Sequence, residues 1–169
     1  MATGRSMQLT KQVGEYLVAA ELCRRGLIAT TFTGNVPHYD IIASNETGKH
    51  LAIQVKAIRS GSWQLNLSRF VQIRMRGKRQ MVGPLVEQPV RDLVFVFVML
   101  KDYGADRFFI LDWKNLQRLV VDGHRNYLKK HGGIRPKKPE SLHTAIGRSQ
   151  LDGYEDNWKL IERRLGTKG

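Results

Sequence analysis

Apolar positions along this chain change their period several times, and each change marks an element. Residues 9–25, LTKQVGEYLVAAELCRR, place Val18, Ala19 and Leu22 on one helical face and stop at Gly26, so they predict a helix. LIATTFT, residues 27–33, is rich in β-branched residues and predicts a strand, followed by a GNVPH loop. YDIIASNETGKHLAIQVK, residues 39–56, holds two apolar runs around a polar break and predicts a β-hairpin. GSWQLNL, residues 61–67, predicts an extension of the sheet, and residues 70–89 predict an irregular basic segment. DLVFVFVML, residues 92–100, is a continuous apolar run suited to a strand buried on both faces. KDYGAD turns the chain into a further strand, RFFIL. Asp112 then caps a predicted helix from Trp113, with Leu116, Leu119, Val120 and Tyr127 as its apolar stripe and Gly123 as a break or bend. GGIRPKKPES predicts an extended loop. A last helix is predicted where Tyr154, Trp158, Ile161 and Leu165 recur at helical spacing, with acids leading and Arg163 and Arg164 trailing. There is no internal repeat. This order predicts an α/β fold around one mixed sheet, as a single domain over residues 9–169 behind a flexible segment of residues 1–8.

The hairpin's register follows from Gly48. A three-residue hairpin loop commonly ends in the left-handed region, where glycine costs least. With Glu46, Thr47 and Gly48 as the loop, Asn45 and Lys49 close it, Ala43 faces Leu51, Ile41 faces Ile53, and Asp40 faces Gln54. Side chains alternate between faces, so Lys56 joins Asp40 and Gln54 on one face. Tyr39, Ile41, Ala43, Leu51, Ile53, Val55 and Ala57 make an apolar surface on the other. The three polar residues are either a structural cluster on a solvated face or a site. Glu15 bears on that choice, because it shares a helical face with Val18, Ala19 and Leu22, where a carboxylate needs a partner or an edge position.

Charge narrows the partner. Among 169 residues, 28 Lys and Arg stand against 15 Asp and Glu, a net charge of +13. An excess of this kind favours a polyanion, since every phosphate neutralised releases condensed counterions. It is also clustered. Residues 69–79 hold Arg69, Arg74, Arg76, Lys78 and Arg79 with no acid, and residues 124–139 hold Arg125, Lys129, Lys130, Arg135, Lys137 and Lys138 with no acid. Both blocks are candidate nucleic-acid contacts. No apolar run is long enough to span a bilayer, so no membrane partner is expected. With a single cysteine, Cys23, and no hydrophobic leader, a cytoplasmic protein is expected. Cys23 itself reads as a small core residue on the first helix.

A helix Glu, then a strand Asp, then Glu/Gln-x-Lys on the next strand resembles the PD-(D/E)xK nuclease superfamily. Here the order is Glu15, Asp40 and Gln54-Val55-Lys56, within GEYLVAAELCRRG, HYDIIAS and LAIQVKA. The chain is similar to the archaeal Holliday-junction resolvase-like branch, in a QxK variant, over residues 14–58. The resemblance implies a restriction-endonuclease-like mixed β-sheet flanked by helices, acting as a metal-dependent endonuclease on DNA, including structured or branched DNA, and open to homodimer formation. It implies Mg²⁺ or Mn²⁺ held by Asp40, Glu15, the Gln54 amide oxygen and the Val55 carbonyl, with Lys56 orienting the nucleophile. Hard cations of this kind take oxygen ligands and keep several waters. Gln54 departs from the usual Glu and leaves the site one negative charge short; Pro37 stands three residues before Asp40 rather than beside it.

Other chemistries lack their motifs. His38, His50, His124, His131 and His143 show no zinc spacing, and there is no phosphate-binding Gly-rich loop or Gly-x-Ser-x-Gly elbow. Trp63 reads as core more readily than as a substrate contact. Two function classes remain: a metal-dependent endodeoxyribonuclease, and a non-catalytic nucleic-acid-binding protein whose metal site has degenerated at Gln54.

Overall fold

Five strands form the central sheet of the computed structural model, which describes residues 4–32 and 36–167. In chain order they are β1 (Ile28–Thr31), β2 (Ile41–Ser44), β3 (His50–Ile58), β7 (Val94–Met99) and β8 (Arg107–Asp112). They lie side by side in that order, with β3 and β7 parallel and every other pair antiparallel. The mixed α/β architecture expected from the sequence is therefore present. β7 sits between β3 and β8 with all six residues buried, as its unbroken apolar run requires.

Helix α1 (Gly4–Arg24) and the short α3 (Lys159–Leu165) cover one face. Val18 and Leu22 from α1, and Trp158, Ile161 and Leu165 around α3, pack there on Ile41, Ile53, Val55, Val96 and Ile110. Helix α2 (Trp113–Lys130) covers the other face, with Leu116, Val120 and Val121 packed among Phe95, Phe97, Phe109 and Leu111. Two small antiparallel sheets complete that side. One pairs β4 (Trp63–Asn66) with β9 (His143–Ile146), and the other pairs β5 (Val71–Arg76) with β6 (Arg79–Leu85).

The hairpin register is the predicted one: Ile41 pairs with Ile53 and Ala43 with Leu51. Gly48 closes the loop at φ +81°, with its N–H donating to the Asn45 carbonyl at 3.1 Å. Asn45 is buried and holds the turn, its Oδ1 accepting from the backbone N–H groups of Thr47 and Lys49.

Several expectations are corrected. Residues 61–67 do not extend the main sheet; β4 pairs instead with β9, a strand the sequence pattern does not predict. Residues 70–89 are not irregular, because Val71, Ile73 and Val82 supply an inward face that makes a hairpin worthwhile. Helix α2 runs through Gly123 without ending, since Val120, Val121, His124 and Leu128 are buried on both sides of it and offset a cost of about 1 kcal/mol. Tyr127 is exposed, and its expected core place is taken by Val121 and Leu128. The last helix is short because Asp156 adopts φ +49°, outside any right-handed helix, and Tyr154 packs into the opposite cluster. Cys23 is exposed rather than core. Helix α1 begins at Gly4, so it takes in residues 4–8; residues 1–3 lie outside the described residues. Among the described residues no helix is long and apolar enough to cross a membrane.

Candidate active site and nucleic-acid interface

Gly14 sets the position of α1 on the sheet. A Cβ there would overlap the Cβ of Ala57, so only glycine lets the helix lie this close to β3. The next residue, Glu15, is thereby carried to the end of the β2–β3 hairpin, beside Asp40. Asp40 precedes β2 directly, and its backbone N–H donates to the Ile53 carbonyl at 2.8 Å, continuing the ladder. Two residues earlier His38 adopts φ +77°, a strained conformation that non-glycine residues keep only when their surroundings enforce it.

The Asp40 carboxylate is held from two sides. Its Oδ2 accepts the Val55 N–H at 2.8 Å and the Gln54 Nε2 amide. Gln54 is buried, and with Nε2 committed to Asp40 its Oε1 is the atom left to accept. Lys56 follows on the same face of β3, and Trp63 Nε1 donates to its carbonyl at 2.9 Å. Trp63 is only 1% exposed, which settles it as core. The Lys56 side chain lines a cleft of about 390 Å³ with Thr10, Arg59, Ser62 and Gln64. Burial lowers the Lys56 pKa, the charges of Arg69 and Lys11 add to that, and Asp40 and Glu15 oppose it.

Lys11 joins this group without any sequence motif to announce it. Its Nζ stands 3.4 Å from Glu15 Oε1 and 3.4 Å from Asp40 Oδ1, so one ammonium spans both carboxylates. Burial works against the Lys11 charge, but Asp40 and Glu15 outweigh it and raise the Lys11 pKa. Burial also raises the Glu15 pKa, and the Asp40 charge adds to it, while Lys11 opposes. Glu15 Oε1 is buried and has no hydrogen-bond partner; the Lys11 contact is an ion pair without hydrogen-bond geometry. The only sequence signal for Lys11 is its position four residues before Glu15, a spacing common on solvated helices.

Among the described residues no group of three or more His, Cys, Asp and Glu could hold a metal. The Asp40 and Glu15 carboxylates stand together here, with the Gln54 amide against Asp40. Two carboxylates and a side-chain amide suit a hard divalent cation that retains water, and Glu15 Oε1 is buried with the Lys11 ammonium against it but no hydrogen bond of good geometry.

The basic residues fall into connected places. Arg69 ends a single 3-10 turn (Leu67–Arg69), and its charge is felt at Lys56. Arg74, Arg76 and Arg79 lie on the β5–β6 hairpin, with Lys78 in its turn, and all four are exposed. Arg125, Lys129 and Lys130 are on α2, where Arg125 is paired with Asp122 at 3.4 Å. Arg135, Lys137 and Lys138 follow in the loop, and Arg135 donates to the His143 carbonyl at 2.8 Å.

A buried glutamine that sequence reasoning passes over ties the two blocks together. Gln80, 3% exposed, donates its Nε2 to the carbonyls of Pro139 at 2.6 Å and Ser141 at 3.0 Å. Its Oε1 lies 2.8 Å from His124 Nε2, and its backbone N–H donates to Gly133 at 2.9 Å. The first basic block is thus fixed to α2 and to the loop that carries the second.

No family model and no curated protein matches this sequence. Among solved structures the chain is similar to a bacterial homing endonuclease, I-Ssp6803I, with a TM-score of 0.53 and 12% identity over 95% of this chain and 96% of that one. It is also similar to Hjc, a Holliday junction resolvase from the archaeal hyperthermophile Archaeoglobus fulgidus, with a TM-score of 0.45 and 17% identity over 94% and 98% of the two chains. The chain has the restriction-endonuclease-like fold of such nucleases.

Proposed function

We propose that this protein is a metal-dependent endonuclease that hydrolyses phosphodiester bonds in DNA. One observation carries the reading: the Asp40 carboxylate is fixed by the Val55 N–H and by Gln54 beside a second carboxylate, Glu15, and a half-buried lysine, Lys56. Asp40, Glu15, the Gln54 Oε1 and the Val55 carbonyl would hold Mg²⁺ or Mn²⁺. Such an ion, once bound, acidifies a coordinated water and neutralises phosphate charge. The chain's own residues do the rest. The Val55 N–H restrains Asp40 Oδ2 and leaves Oδ1 as the freer oxygen. Lys56, held in a partly desolvated place, supplies a donor and a positive charge for the scissile phosphate or the attacking water. Arg69, close enough to act on Lys56, extends that charge toward the flanking backbone. The homing endonuclease among its structural neighbours supports DNA as the substrate. A duplex cut on both strands needs two such sites, which a homodimer would provide.

A second reading has its own support. Gln54 leaves the site with two carboxylates, and the Lys11 ammonium already spans them. On that reading the protein binds nucleic acid without cutting it. Incubating labelled duplexes, flaps and four-way junctions with the protein and Mg²⁺ or Mn²⁺ separates the two. Metal-dependent products that vanish in Asp40→Asn establish the nuclease. Salt-sensitive binding without products, under every metal, establishes the second reading.

A further inference from the structure

The β5–β6 hairpin is a two-stranded ribbon outside the main sheet, and its two faces differ in chemistry. Ile73 pairs with Val82 and Met75 with Gln80; Ile73, Val82 and the buried Gln80 anchor that face to the body. Arg74 pairs with Met81 and Arg76 with Arg79, so these side chains belong to the opposite face. Arg74, Arg76 and Met81 are exposed, as is Gln72. No carboxylate is paired with any of these arginines among the described residues, and residues 69–86 contain no acid. Exposed arginines left unpaired on a ribbon that a buried polar clamp holds rigid form a preorganised recognition surface, whereas a merely solvated face has no need of the clamp.

We propose that the outward face of this hairpin is the sequence-reading element of the protein, a ribbon that enters the major groove of duplex DNA. This rests on the DNA reading above and deepens it. The major groove admits a two-stranded β-ribbon, and the residue types suit base edges there: Arg74 and Arg76 match guanine O6 and N7, Gln72 matches adenine, and Met81 matches the thymine methyl. A double-stranded RNA major groove is too narrow for such entry. Single-stranded nucleic acid is held by stacking on aromatic rings, and residues 71–85 contain none. The strand β5, six residues long, spans about 20 Å and starts next to the 3-10 turn that ends at Arg69. At ~3.4 Å per base pair a ribbon of that length is long enough to face about six base pairs. Arg79 differs from its neighbours, because its stem lies against Gly133 and leads to the loop bearing Lys137 and Lys138. That loop grips backbone phosphates, which position without specifying.

The test is selection from a randomised pool of duplex DNA in EDTA, sequencing what the wild-type chain retains. Wild type is expected to enrich a motif. Arg74→Ala and Arg76→Ala should each relax one base pair of it by about tenfold, and Met81→Ala should relax a thymine position. Lys137→Ala with Lys138→Ala should weaken retention of all sequences and leave the motif unchanged. Circular dichroism of the variants, all at exposed positions, checks that they fold. Duplex retention by wild type with no enriched motif, or a motif untouched by Arg74→Ala and Arg76→Ala, overturns the inference and leaves the DNA reading standing. No salt-sensitive retention of duplex by wild type overturns the inference, and the DNA reading falls with it when flaps and four-way junctions are not retained either.

Discussion

Lys11 Nζ lies 3.4 Å from Asp40 Oδ1, and it makes the same approach to Glu15. A divalent ion on those carboxylates competes with this ammonium for the same oxygens. Lys11→Met is therefore expected to bind Mn²⁺ several-fold more tightly by calorimetry, since one positive charge no longer has to be displaced. Weaker binding in the variant would show that Lys11 orders the site instead of occupying it.

Gln54 offers a second handle on the same charge balance. In Gln54→Glu the donor to Asp40 is lost and a buried carboxylate takes its place, so the metal-free protein should lose thermal stability by several degrees. Saturating Mg²⁺ should return most of that loss, and cleavage should be kept or raised. Asp40→Asn and Lys56→Ala should abolish cleavage and leave duplex retention within a few-fold of wild type. A Gln54→Glu protein indifferent to Mg²⁺ in melting experiments would speak against a metal at this place.

Glu15, Asp40, Gln54 and Lys56 were legible as a group because local rules place most of them. Gly48 fixes the loop length, the alternation fixes the register, and the register puts Asp40 opposite Gln54. Lys11 was not legible, because its role depends on where Gly14 lets α1 cross β3, a tertiary relation with no local signal. The same holds for Gln80, which looks like one more polar residue in a basic stretch until the chain brings Pro139 and Ser141 to it. The β5–β6 hairpin was missed for a different reason. Its arginines mask a real alternation of Val71, Ile73, Val82 and the buried Gln80 around the short Gly77-Lys78 turn. Strand β9 carries no sequence pattern of its own and exists because β4 offers it an edge.

Gly14 is open to a direct packing test. Gly14→Ala should destabilise the fold by about 1–3 kcal/mol in urea unfolding, although alanine is the better helix former, because its methyl meets Ala57. Adding Ala57→Gly should recover part of the loss, less what glycine costs within a strand. If Gly14→Ala proves neutral, the close approach of α1 to β3 is wrong, and with it the delivery of Glu15 and Lys11.

His124 ties stability to pH. Its ring is buried, and because Gln80 Nε2 already donates to two carbonyls, His124 Nε2–H donates to Gln80 Oε1. Burial, with the nearby Arg135 charge, lowers the His124 pKa to about 4 from the 6.5 of an exposed histidine. Between those values the unfolded chain binds a proton that the folded chain does not, so stability rises with pH across that window. The contribution is complete above pH ~6.5 and is lost as the pH falls toward ~4. By linkage it amounts to about 2 kcal/mol lost at pH ~5 and about 3 kcal/mol in full. The clamp between the two basic blocks should loosen with it, since protonated His124 would sit beside Arg135 with Gln80 as its one side-chain hydrogen-bond partner among the described residues. Urea unfolding of wild type and His124→Gln at pH ~7 and pH ~5 isolates the effect. The variant should be less stable than wild type at the higher pH and should show a shallower loss on acidification. Equal losses in the two proteins would mean that His124 already takes up its proton in the folded state, and that the Gln80 junction is wetter and looser than its geometry indicates.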